Sequence, residues 1–218
     1  MDKRWYNDAC GTALAMELVG ERWSLLIVRE LMFGPRRFGE LRGGLPGISA
    51  NVLTQRLEGL DRAGVVTRRK LPPPASVQVY ELTPWGYESE VAIQELGRWA
   101  VRSHAHDATL PLSAASIMMS FRTMIDRSRS DDFGTNVGFR LANEAFLAEL
   151  DATGISIRRV DMPQAPVMFT TDPMTLASVV YGGCPIADQE AAGVLQVEGD
   201  RVLAERFVTL FPLPPKIS

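Results

Sequence analysis

Ser49, Asn51, Thr54 and Gln55 bring four hydrogen-bonding side chains close together in sequence. Asn and Gln can make paired hydrogen bonds to adenine in the major groove, and Thr can meet a base edge or the thymine methyl. Their spacing is that of one helix. Leu53, Leu57 and Leu60 recur at i, i+4 and i+7, so that face is buried. Asn51, Gln55, Glu58 and Arg62 then face the other way, with Thr54 to one side and Arg56 close to the core boundary. Ser49 is a good N-cap and Gly64 a good stop. Only the N-terminal half of such a helix needs to reach bases. Glu58 and Asp61 would sit badly against phosphates, so Ser49, Asn51, Thr54 and Gln55 are expected to be the readers. A lone amphipathic helix is ordinarily a solvated face; the neighbouring elements change that expectation.

Phe38 and Leu41 predict a short helix packed ahead of this one, and Gly43, Gly44, Pro46 and Gly47 build the connecting turn. Residues 65–70 and 77–82 read as strands around a tip of Pro72, Pro73 and Pro74. Helix, turn, helix and hairpin in this order predict a winged helix-turn-helix unit that binds double-stranded DNA. The whole chain is formally −3, yet residues 29–70 carry nine basic residues against four acidic ones. Arg36, Arg37 and Arg42 on one side, Arg68, Arg69 and Lys70 on the other, and Arg56 on the helix itself are therefore expected to meet phosphates.

At 218 residues and 46% apolar, the chain is long enough to bury one large or two small cores. No apolar run approaches the roughly 18 residues of a membrane span. The N-terminus, with Asp2, Lys3, Arg4 and Asp8, does not resemble a signal peptide, and Cys10 and Cys184 offer no disulfide framework, so a cytoplasmic protein is expected. Helices are predicted at 10–19 and at 21–32, the latter with Trp23, Leu26, Ile27 and Leu31 turned to the core. Thr83 and Pro84 open a long helix whose stripe is Trp85, Ala92, Leu96 and Trp99. That stripe packs either within the chain or against a second copy. The second copy is preferred, with Trp85, Leu96 and Trp99 at a homodimer interface, because two reading helices suit two half-sites.

The composition turns acidic near residue 103, placing a linker at 104–111 between a domain at 1–103 and another at 112–218. The second domain reads as α+β: a helix at 113–128, strands at 136–141, 145–150, 155–160 and 167–171, and a helix opened by Asp172 and Pro173. A short helix at 188–192, a strand at 195–198 and a helix at 201–210 complete it.

Residues 10–101 resemble the HxlR-type family of bacterial winged helix regulators. Landmarks include Gly20, Trp23, Arg29 and Glu30; Gly34, Arg37, Phe38, Glu40 and Leu41; Ile48, Ser49, Thr54, Arg56 and Gly64; and Tyr80, Thr83, Gly86 and Trp99. The resemblance implies a homodimer that binds operator DNA and controls transcription. Family members often carry Pro and a basic residue just after the position of Ser49; Ala50 and Asn51 stand there instead, which favours Asn51 as a reader of bases over a phosphate contact. Some members sense oxidants through an N-terminal cysteine, and Cys10 matches that position, with Arg22 or Lys3 as sources of positive charge. A buried structural thiol is the alternative.

The order of elements in 112–218 resembles the sterol carrier protein type 2 fold, on Asp172, Leu176, Gly182, Gly193, Leu195, Glu198, Gly199 and Asp200. It implies a small apolar effector, for which Ile117, Phe121, Met124, Phe139, Met168, Phe169 and Phe207 are the candidate lining; each taken alone is more readily core. No phosphate-cradling loop, nucleophile elbow or metal-ligand cluster is present, so no catalytic residue, metal or cofactor is expected. His104 and His106 read as solvated linker histidines, and Asp131 with Asp132 as loop residues. The competing reading is a lipid or hydrophobic-ligand carrier whose winged helix serves protein interaction.

Overall fold

The computed structural model describes residues 6–72, 74, 76–130 and 132–218; Asp2, Lys3, Arg4, Pro73 and Asp131, named above, lie outside them. The chain packs as two compact units, the first ending at Ile93 and the second being Gln94–Ser218. Residues 94–103, expected with the first domain, pack with the second. Arg98 donates to the Thr123 carbonyl, and Lys216 Nζ donates to the carbonyls of Val101 and Ser103, each at 3.0 Å. Residues 104–111 carry no helix or strand.

The first unit begins with α1 (Gly11–Val19) and α2 (Ser24–Leu31). The second of these starts later than its apolar spacing suggests, because Trp23 adopts a left-handed φ of 81° and turns the chain. Ile27 and Leu31 are buried as expected, whereas Leu26 is exposed and half-buried Trp23 sits at the cap. α3 (Phe38–Gly44) and α4 (Ala50–Arg62) follow, then the antiparallel β1 (Val66–Lys70) and β2 (Gln78–Leu82). Leu41, Leu53, Leu57, Leu60, Val66 and Leu82 close the core.

Gly64, at φ +72°, ends α4 in a conformation that favours glycine. The Thr83 hydroxyl caps the next helix and also donates to the Gly64 carbonyl at 2.7 Å. Gly86 lies so close to Val65 that a Cβ would stand 2.1 Å from its carbonyl oxygen. The single long helix expected after Pro84 is two, α5 (Pro84–Glu88) and α6 (Glu90–Ala100). They divide at Ser89, whose hydroxyl takes the Gly86 carbonyl at 2.6 Å in competition with the helical ladder.

In the second unit α7 (Ala114–Met124) and α8 (Arg127–Ser130) precede β3 (Asn136–Leu141), β4 (Glu144–Asp151), β5 (Gly154–Arg159) and β6 (Val167–Thr171). α9 (Pro173–Val180), α10 (Ile186–Ala191), β7 (Gln196–Gly199) and α11 (Arg201–Phe207) complete it. Strand order is β5-β4-β3-β6-β7, with β3 and β6 parallel and the other pairs antiparallel. α7 packs against β5 and α9, and α11 against β6 and β7. Asp172 caps α9 by accepting from the amides of Met174 and Thr175 at 2.8 and 3.0 Å, as its place before Pro173 suggests.

Candidate nucleic-acid interface

α4 presents the face that its spacing predicts. Leu53, Leu57 and Leu60 are at most 1% exposed, while Asn51, Thr54, Gln55 and Glu58 are all exposed on the opposite side. The Ser49 hydroxyl accepts from the Val52 amide at 3.3 Å, so it anchors the first turn and keeps its own proton for another partner. Leu45 and Ile48, both buried, fix the turn between α3 and α4. Gly43 and Gly44 belong to the last turn of α3 rather than to this connection. A Cβ on Gly44 would stand 2.5 Å from Glu30 Oε2, so a larger residue there would have to displace that carboxylate.

The basic residues divide into two groups. Arg37, Arg42, Arg68 and Lys70 are exposed. Arg36 is a correction to the expected phosphate set: it is 6% exposed and faces fully buried Glu30 at 3.8 Å, so its guanidinium is held inside the unit. Its backbone exchanges two hydrogen bonds with Tyr80, of 2.8 and 2.9 Å, fastening β2 just ahead of α3. Arg56 is half-buried and likewise engaged, with Glu21 at 2.8 Å and the Arg22 carbonyl at 3.0 Å. On β1 the pleat sends Arg68 and Lys70 to one face and Arg69 to the other, where it pairs with Glu81 across the ladder. Replacing both Arg68 and Lys70 with alanine should therefore lower DNA affinity uniformly across sequences. The slope of log affinity against log salt should become shallower by about 1.8, from about 0.9 per phosphate contact. An unchanged slope in a fluorescence-anisotropy titration would remove the wing from the interface.

Trp85, Val91, Leu96 and Trp99 are exposed, Trp99 at 74%. Cys10 is also exposed, which sets aside the buried structural role. It lies at the N-terminus of α1, and hydrogen bonding from the Thr12 amide, then the Thr12 hydroxyl and the Ala13 amide, holds its thiol below the ordinary cysteine value. These local groups do what was expected of Arg22, whose guanidinium lies over the Trp23 ring, or of Lys3. A lowered thiol is more ionised near neutrality. Iodoacetamide should accordingly label Cys10 faster than a cysteine peptide at pH 7, with the advantage vanishing at alkaline pH where both are thiolate. Equal rates at pH 7 would contradict this account.

The expected effector lining is placed differently from the expectation. Phe121, Phe139, Phe169 and Phe207 are fully buried and pack ring against ring, with Phe207 centroids 5.6, 5.6 and 5.9 Å from the other three and 5.0 Å from Phe211. They fill the core, together with buried Ile117, rather than line a tunnel. Met168 lies on the other face of the sheet from Phe169, across Gly138, because successive strand residues alternate. Of the seven, Met124 borders one of two described cavities, of about 260 Å³; its wall also includes Ser120, Met174, Ala177, Tyr181 and Leu213. The other cavity, about 520 Å³, lies against Val179, Cys184, Ile186, Val208 and Phe211, with Arg201 at its side held by Glu190 and Glu205. Ser120 and Tyr181 were not anticipated from sequence. The available signal was a serine within the otherwise apolar stretch Ile117, Met118, Met119, Phe121.

Residues 18–108 match the sequence profile of the HxlR-like helix-turn-helix family. Over 86 residues the chain is 38% identical to the HTH-type transcriptional regulator YodB of Bacillus subtilis (strain 168), covering 39% of this chain and 77% of that one. Over 99 residues it is 40% identical to the uncharacterized HTH-type transcriptional regulator Rv3095 of Mycobacterium tuberculosis (strain ATCC 25618 / H37Rv), covering 45% of this chain and 61% of that one. Among solved structures, the reduced form of YodB from B. subtilis aligns at 34% identity and a TM-score of 0.41, covering 46% of this chain and 100% of that chain.

Proposed function

Since the chain belongs to the HxlR-like helix-turn-helix family of transcriptional regulators, we propose that it binds operator DNA as a homodimer and adjusts that binding to a small apolar effector. The observation that carries the reading is α4. Its inward leucines fix it in the first unit, and its outward face offers Asn51, Thr54 and Gln55 together, with Ser49 at the N-terminal end. In this reading the N-terminal half of α4 enters the major groove. Arg37 and Arg42 near α3, and Arg68 and Lys70 on the wing, meet phosphates on either side.

Exposed Leu96 and Trp99 on α6, and exposed Trp85 on α5, are the side chains we assign to contact with the second copy. Such large aromatic side chains favour the buried centre of an interface over water. A twofold pair presents two α4 helices to half-sites about one DNA turn apart. Exposed Cys10, with its favoured thiolate, is the candidate through which oxidants act on the same equilibrium.

The second unit, a five-stranded sheet packed with helices, supports the sterol carrier protein type 2 resemblance, and we assign the effector to it. An effector controls DNA affinity only through the difference in its binding to the competent and incompetent dimers. The test is direct. Purified full chain should sediment as a dimer and shift DNA from upstream of its own gene at least about a thousandfold more tightly than bulk DNA. Equal affinity for both DNAs would rule out a sequence-specific regulator.

A further inference from the structure

We infer that the cavity of about 260 Å³ in the second unit takes a small uncharged molecule, one or two rings in size, whose single oxygen accepts a hydrogen bond from the Ser120–Tyr181 pair. The inference rests on the reading of this unit as effector-binding and specifies the ligand class and the residues that select it.

Size comes first. Small-molecule sites usually span roughly 300–1,000 Å³, so this cavity suits a compact molecule rather than a long acyl chain. Its wall is largely apolar, with Leu112, Met124, Met174, Ala177 and Leu213 around it. Methionine side chains adapt their shape to flat or irregular ligands.

Apart from exposed His106 and Asp107, and Ser178, whose hydroxyl donates to the Thr175 carbonyl at 2.8 Å, the polarity of the wall is the Ser120–Tyr181 pair. The Ser120 and Tyr181 hydroxyls bond to each other at 2.5 Å. Two hydroxyls carry two protons and their shared bond uses one, which leaves one O–H to donate to a further acceptor. Burial pushes the Tyr181 phenol well above its ordinary value, so it remains a donor at neutral pH.

Anions are disfavoured by the same wall. Among the described lining residues there is no Lys or Arg, and the ionisable ones besides Tyr181 are His106 and Asp107, both exposed. Asp107 is held below the usual carboxylate range by the hydroxyl and amide of Thr109, so it stays anionic there. A carboxylate or phosphate entering the cavity would lose its hydration with no opposing charge to replace it.

The cavity is also placed to report occupancy to α6. Val101 and the segment 106–112, which follow α6 directly in the chain, form part of the wall, and Leu213 of the C-terminal segment forms another part. That segment is strapped to the end of α6: the Ile217 amide donates to the Arg102 carbonyl at 2.9 Å, and Lys216 Nζ donates to the carbonyls of Val101 and Ser103. His104 Nε2 meets the Ile217 carbonyl at 2.8 Å. A molecule packed against these residues stabilises the strap, and hence the end of the helix that carries Leu96 and Trp99.

Full-length protein titrated with 1-naphthol, naphthalene and 1-naphthoate, followed by naphthyl fluorescence, tests this. The expected result is one saturable naphthol site per chain, with naphthoate at least about tenfold weaker. The paired variant Ser120→Ala with Tyr181→Phe should weaken naphthol about tenfold and leave naphthalene unchanged. This ratio would not move if the hydroxyls only supported folding. Ala177→Leu, which fills the cavity from α9, should weaken naphthol and naphthalene alike. No saturable naphthol binding, or a naphthol-to-naphthalene ratio unaltered by the paired variant, overturns the inference. Operator affinity measured on the same proteins separates the two readings: failure of the wild type to bind operator defeats the regulator reading while leaving the ligand ratio standing. Saturation with naphthol that leaves operator affinity unmoved defeats the coupling to α6.

Discussion

Replacing Asn51 and Gln55 together with alanine should cost about 2–6 kcal/mol of specific operator binding, from roughly 1–3 kcal/mol for each paired base contact. At the middle of that range the loss is about a thousandfold in Kd. Both side chains are exposed on α4, and alanine has the higher helix propensity, so melting temperature should stay constant or rise slightly. The effect must also be selective. Affinity for bulk DNA, which depends on phosphates, should hardly change. The Arg68 and Lys70 replacements should show the reverse pattern, with operator and bulk DNA weakened by similar factors. Competition titrations with the two DNAs decide between these patterns. Equal losses on operator and bulk DNA for the Asn51 and Gln55 variant would show that α4 does not read bases.

Phe207→Ala should be the most destabilising single change in the second unit, at about 3–5 kcal/mol for loss of a buried phenylalanine. Phe207 is the hub of the aromatic core, in ring contact with Phe121, Phe133, Phe139, Phe169 and Phe211. Because whole domains are stable by only about 5–15 kcal/mol, the loss should speed amide exchange throughout β3 and β6. Exchange in α4, in the other unit, should be unaffected. A loss under about 1 kcal/mol would mean that the ring stands over open space, as the lining of a ligand tunnel would. The measurement therefore distinguishes a packed phenylalanine core from a ligand tunnel.

The elements that were legible in sequence are those whose signal lies within a few residues. Ser49 and Asp172 cap α4 and α9, Gly64 ends α4, and strands β3 and β6 fall at residues 136–141 and 167–171 as read. The split of the helix after Thr83 was not legible, because it depends on whether the Ser89 hydroxyl takes a backbone carbonyl. The charge count near α3 was right as a sum and misleading for Arg36. Nothing in its neighbourhood says that Glu30 lies buried beside it while Tyr80, far along the chain, holds its backbone.

Local pattern in the chain is enough to say which face of α4 is dry, where the wing strands run and where the helices and strands of the second unit fall. Those properties follow from the 3.6- and 2-residue repeats of the backbone and from caps that act within one turn. Which arginines reach solvent, the closing of four phenylalanines on one another and the meeting of Ser120 with Tyr181 across 61 positions of chain all depend on the folded packing. Burial and hydrogen-bond partnership are properties of pairs brought together by folding. A one-dimensional pattern therefore names the side chains that can do chemistry, and packing selects those that have a partner, a solvent face or a cavity in which to do it.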